Sequence, residues 1–227
     1  MNSIKTNPDI FVGDINYIPA DEKHKRKRAF GEIPLDIGPV TAMYLKLKRP
    51  ENPQQKDAYK VIAAISEETK AQLILELVPK MVELGKLMGH KVTAAEVKKA
   101  LNVRFSELTD EGYEEYFKLD AVQHILLPFK DKDGNPVTKT VPVIGPDDQP
   151  YTNLYLERGT EALVKISVQP SLNPETNTLK WPFRLVAVKL TKPIDWVPPE
   201  DHDGDSDGPA ESKEDTRLDF SKFNSEY

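Results

Sequence analysis

Residues 41–48 (TAMYLKLK) alternate cleanly: Met43, Leu45 and Leu47 fall on one side of an extended chain, and Tyr44, Lys46 and Lys48 on the other. That period of two predicts a strand with one buried and one exposed face. Residues 58–65 (AYKVIAAI) are apolar on both sides and predict a strand buried on both faces. Ser66, Glu67 and Glu68 then open a helix. A Ser oxygen can accept from a first-turn amide, and carboxylates are favoured at the positive end of the helix dipole. Ala71, Ile74, Leu75, Val78, Met81, Val82 and Leu84 continue at helical spacing, Pro79 predicts a kink or a division, and Gly89 predicts a stop. Thr93 with Glu96 three residues on is a capping-box pattern that predicts a second helix over 94–101.

From Tyr113 the period returns to two. Residues 113–121 place Phe117, Leu119 and Ala121 on one side, with Tyr116 and Lys118 on the other. Residues 125–129 form an apolar strand, 131–136 (DKDGNP) a hairpin-type turn, and 137–144 the returning strand. Residues 161–169 direct Ala162, Val164, Ile166 and Val168 inward and Lys165 outward, and residues 179–190 read as one long closing strand. Five or six strands around one helical insertion (about 66–101) fit a mainly β domain over 39–198, a small closed antiparallel barrel of the oligonucleotide-binding type (OB-fold). Pattern alone also admits a β-sandwich. Residues 1–38 are polar, broken by Pro8, Pro19 and Pro34, and carry the basic run His24-Lys25-Arg26-Lys27-Arg28 beside Phe30. They are expected to be a flexible basic arm able to touch phosphates.

Charge divides the chain. Residues 200–227 hold ten Asp/Glu against three Lys/Arg, a formal −7, so the chain total of −6 leaves +1 for residues 1–199. This acidic tail, expected to be disordered from residue 199 onward, ends in Leu218, Phe220, Phe223 and Tyr227, spaced as anchors of a short interaction motif. The absence of cysteine removes disulfides, thiol catalysis and Cys-based metal sites. His24, His90, His124 and His202 form no ligand pair, and no Gly-rich phosphate loop or nucleophile elbow is present. A metal, a cofactor and catalysis are therefore not expected. No apolar run has signal or membrane-spanning length, so a cytosolic protein without a membrane partner is expected.

Three stretches, in this order and with the tail, resemble the single-stranded-DNA-binding proteins of tailed bacteriophages. Residues 56–61 (KDAYKV) look like that family's strand entering its helix. Residues 134–145, ending Val141-Pro142-Val143-Ile144-Gly145, look like its central hairpin and glycine loop. Residues 161–166 (EALVKI) and 185–190 (LVAVKL) look like its closing strand pair. The resemblance implies sequence-independent coating and protection of single-stranded DNA in phage replication, recombination and repair, in the cytoplasm of the infected bacterial host. It also implies recruitment of the phage DNA polymerase and helicase/primase by the tail, and it admits a homodimer.

Such a surface needs rings on which bases stack and cations that follow the backbone. Among Tyr44, Tyr59, Tyr113, Tyr116, Tyr151, Tyr155, Trp181, Phe183 and Trp196, the rings sharing a face or a strand start with cations are Tyr44, Tyr116 and Trp181. Phe117, Phe129 and Phe183 follow inward registers. Lys46, Lys48, Arg49, Lys118, Lys165, Lys180 and Arg184 are the expected phosphate contacts, and Phe220, Phe223 and Tyr227 the expected partner anchors. Two alternatives stand beside this reading. One is a protein–protein adaptor barrel with the tail as its motif. The other is a calcium-responsive protein, because Asp203, Asp205, Asp207 and Glu214 at the twelfth position satisfy an EF-hand loop, although Pro198 and Pro199 stand where its entering helix belongs.

Overall fold

The computed structural model describes residues 8–21, 29–173 and 178–196. Contacts divide the chain into two units, Met1–Trp196 and Val197–Tyr227. The acidic tail, its anchors Phe220, Phe223 and Tyr227, the calcium-type loop and the basic run at 24–28 all lie outside the described residues.

The chain begins with β1 (Asp9–Val12) and β2 (Asn16–Ile18), both antiparallel to the long β3 (Phe30–Lys46). The expectation of a flexible arm over 1–38 is thereby corrected: much of that segment is sheet. Ile33, Leu35 and Ile37 alternate inward and are buried, and Val12 joins them. Pro34 does not break the pairing, because the ladder there uses its carbonyl, which accepts from Gly13 N at 2.8 Å.

β4 (Ala58–Ile65) follows, then α1 (Glu67–Leu87) and α2 (Ala94–Arg104). Ser66 caps α1 by accepting from Thr69 N at 3.2 Å, and both bonds of the Thr93–Glu96 capping box are present on α2. Pro79 does not divide α1. Its missing amide would have bonded the carbonyl of Leu75, a residue on the exposed side of the helix, where water can take over. Gly89, at positive φ, ends the helix, with its amide on Lys86 O at 2.9 Å.

The rest is β5 (Phe117–His124), β6 (Leu126–Lys130), β7 (Pro136–Thr138), β8 (Val143–Ile144), β9 (Glu161–Val168), β10 (Ser171–Asn173), β11 (Thr178–Lys180) and β12 (Phe183–Lys192). Two expected single strands are split. Residues 137–144 are divided between β7 and β8, and residues 179–190 are interrupted at Trp181–Pro182 between β11 and β12. Asp131 Oδ1 accepts the amides of Asn135 and Asp133 at 2.8 and 2.9 Å and closes the β6–β7 turn. The Asn135 amide, first among these contacts, holds the Asp131 carboxyl below its ordinary range.

The main sheet runs β5-β4-β3-β9-β12-β8. It is mixed, since β8 lies parallel to β12. The expected closed antiparallel barrel is corrected on both counts: the ladder stays open between β12 and β5, although the two strands lie near each other. The edge of β5 that would close it is already occupied. Glu107 bridges Phe117, Leu108 N donates to Tyr116 O, Lys118 N donates to Ser106 O, and Arg104 donates to Asp120 O at 3.1 Å.

One face of the sheet, with α1 and α2 against it, forms the main core of Leu35, Val61, Leu73, Leu77, Phe105, Val164 and Leu185 among others. Phe105 at the end of α2 meets Phe183 edge-on, with ring centroids 5.7 Å apart.

Candidate nucleic-acid interface

The opposite face of β3–β4–β5 takes every second residue. In register, Tyr44 stands beside Ile62 and Asp120, Lys46 beside Lys60 and Val122, and Ala64 beside Lys118. A bulge between Ala42 and Tyr44 turns Met43 onto this face as well, so Met43 and Tyr44 belong to one small cluster with Ile62, Ala64 and Leu108. Met43 was expected on the core side with Leu45 and Leu47, and the extra residue in the bulge reverses it.

Residues 106–116 cross the edge of this face and bring Tyr113 and Tyr116 to it, their ring centroids 6.3 Å apart. Burial raises the Tyr44 phenol pKa above its ordinary value. Tyr116 is raised chiefly by desolvation, with the Glu115 side chain adding to it. Both rings are therefore uncharged at neutral pH. Around them, Lys60 pairs with Asp120 at 3.3 Å, and Lys46 reaches Asp57 at 3.7 Å while its side chain stays substantially exposed.

The surface continues past the end of β3. Lys48 donates to the Tyr155 hydroxyl, with its ammonium 4.3 Å from that ring's centroid. Tyr155, 50% exposed, and Trp196, 42% exposed, pack with centroids 6.2 Å apart, and Trp196 N donates to Tyr155 O. Lys46, Lys48, Arg49, Tyr155 and Trp196 line an open groove of ≈ 520 Å³. Three residues along from Tyr155, Arg158 lies 4.3 Å from the Tyr113 ring and 3.2 Å from Asp110. Residues 155–158 thus join the two aromatic groups. The Ala42 amide and carbonyl pin this segment to β3 through Thr160 O and Gly159 N.

Tyr44, Lys46, Lys48, Arg49, Tyr116 and Lys118 are therefore brought together. Lys165 and Arg184 lie farther along the sheet, in register with Asp36 and Ser167. Pro34, which shares the Ser167 row, is ten positions from Tyr44, on the order of 30 Å of strand. Lys165 is paired with Asp36 at 3.2 Å. Arg184 is half-buried, burial lowers its pKa, and its Nε has no partner among the described residues. Lys180 is exposed on the separate β10–β11 pair.

Trp181 corrects its expectation. It is 6% exposed and belongs to the main core, because the break at Pro182 turns its ring inward. The accessible indole is Trp196. Trp196, Tyr155, Tyr113, Arg158 and Lys60 were not selected from the sequence. Trp196, Tyr155 and Arg158 sit in segments without periodicity, so no pattern assigned them a face. Alternation over 113–121 puts Tyr113 on the Phe117 side, opposite Tyr116, and Lys60 lies in a strand that reads as apolar throughout. No group of His, Asp and Glu is placed to hold a metal ion among the described residues.

The sequence matches no protein-family model and no curated protein. Several solved structures are similar to this chain. The single-stranded DNA-binding protein gp2.5 encoded by bacteriophage T7 is 17% identical, over 91% of this chain and 100% of that one, with a TM-score of 0.46. The single-stranded DNA-binding protein from bacteriophage Enc34 is 15% identical over 82% and 95%, with a TM-score of 0.45. The same Enc34 protein in complex with single-stranded DNA is 12% identical over 78% and 96%, with a TM-score of 0.44.

Proposed function

We propose that this chain binds single-stranded DNA without reading its sequence, coating and protecting exposed strands in phage DNA replication, recombination and repair within the host cytoplasm. One observation carries the reading. Three tyrosines (Tyr44, Tyr113, Tyr116) share a sheet face with Lys46, Lys60 and Lys118, and residues 155–158 link that face to the groove of Lys48, Arg49, Tyr155 and Trp196. Rings accept any base, each stack being worth about 1–3 kcal/mol, while ammonium and guanidinium groups follow the phosphates. The Tyr44 and Tyr116 phenols, their pKa raised above the ordinary value, add no charge to repel the backbone. The action is non-catalytic: the strand is held extended and shielded. The C-terminal tail recruits the replicative polymerase and helicase through Phe220, Phe223 and Tyr227.

Titration of a labelled oligothymidylate at two salt concentrations tests the reading. Binding should weaken as salt rises, with log affinity falling by about 0.7 per phosphate contact for each log unit of salt. It should be indifferent to base sequence and survive addition of a calcium chelator. No binding at low salt would overturn the proposal.

A further inference from the structure

Residues 106–116 lie against the outer face of β3–β5 on few attachments. Leu108 N donates to Tyr116 O at 2.8 Å and Lys118 N to Ser106 O at 2.9 Å. Leu108, 7% exposed, is the one fully buried side chain this segment sets on the face, packing with Met43, Ile62 and Ala64, while Tyr113 and Tyr116 pack against the cluster half-buried. From the 155–158 side Arg158 holds the segment through Asp110 at 3.2 Å and the Tyr113 ring. Beside Ile62 in the same cross-strand row, Asp120 is 6% exposed. Its Oδ2 meets Lys60, but its Oδ1 is buried without a hydrogen-bond partner among the described residues. A buried acceptor left alone is destabilising until a donor reaches it.

We infer that residues 106–116 form a strap over a covered nucleobase site, opened when a phosphate draws Arg158 away from Asp110. This rests on the single-strand binding proposed above. Asp110 offers Arg158 the same anionic oxygens that a phosphate does, and a guanidinium engages either by paired N–H donation. With the strap displaced, Met43, Ile62 and Ala64 form an apolar floor beside the Tyr44 ring for the face of a base. Asp120 Oδ1 then meets a base N–H. The ligand class is a base of a single strand, held with its edge toward β5.

Hydrogen exchange on the full chain, with and without a short oligothymidylate at low salt, tests the strap. Binding should quicken exchange at the amides of Leu108 and Lys118 by about tenfold or more, as local opening does, while β9 amides keep their rates. Asp110→Asn, which removes the anion that occupies Arg158, should tighten binding by about three- to tenfold and steepen the salt slope by about 0.7. Slower exchange of the strap amides on binding, or no tightening in Asp110→Asn, overturns the covered site while leaving the binding function intact. Absence of binding by the parent chain overturns the function first, and the site with it.

Discussion

The two indoles of this chain have opposite environments, and that contrast is measurable. Trp181 is in the main core with Phe183 and Leu185, whereas Trp196 is exposed against Tyr155 in the Lys48 groove. Oligonucleotide should quench the fluorescence of Trp196. Trp196→Ala should abolish most of that quenching and cost about 1–3 kcal/mol in binding without unfolding the protein. Trp181→Ala should instead lower stability by about 3–5 kcal/mol, the usual cost of emptying a large core site. Quenching that persists in Trp196→Ala would remove this indole from the interface. At this scale the sequence misled for a specific reason. Lys180 and Arg184 flank Trp181 and suggest exposure, but the break at Pro182 ends one strand pair and starts another, so neighbours in sequence do not share a face.

At the scale of elements, the end of β3 and the loop after it carry the argument. Tyr44 and Lys46 remain on the side that alternation assigns them, despite the bulge before Tyr44, and Lys48, past the end of the strand, lines the same groove as Lys46. Replacing Lys46 and Lys48 together by Ala should weaken oligonucleotide binding and flatten its dependence on log salt by up to about 1.4. A folded double variant with the parent affinity and slope would place the backbone elsewhere. Neither lysine is locked in a buried pair: Lys46 is substantially exposed beside Asp57, and Lys48 rests on the half-exposed Tyr155 ring and hydroxyl. Both can therefore exchange these contacts for phosphates at small cost. The helices show how far local signals reach. The Ser66 cap and the Thr93–Glu96 capping box are made within three residues and were legible in the sequence. The effect of Pro79 was not, because it depends on whether the side of the helix that carries Leu75 faces solvent, and tertiary packing sets that.

For the molecule as a whole, charge is the governing quantity. Residues 1–199 sum to +1 and residues 200–227 to −7, so the full chain approaches a polyanion with net repulsion. Deleting residues 200–227 should tighten DNA binding at low salt, with the difference shrinking as screening grows. The same deletion removes Phe220, Phe223 and Tyr227 and should end binding to the replicative polymerase or helicase in a pull-down with purified proteins. A truncated chain that binds DNA no more tightly and retains those partners would leave the tail a solubilising segment. The sequence by itself determined the mainly β character, the helical pair between β4 and β5, the inward set of Leu119, Ala121, Val164 and Ile166, and the basic and aromatic side of residues 44–48. Each of these follows from periodicity or capping over a few residues. Tertiary structure alone decided that residues 9–18 and 30–38 join the sheet, that the edge of β5 is taken by residues 106–108 instead of β12, and that Tyr113, Tyr155, Arg158 and Trp196 gather around Tyr44 and Lys48. Those outcomes depend on which distant segment reaches an open backbone edge or an uncovered apolar face, and no local pattern in the chain encodes that competition.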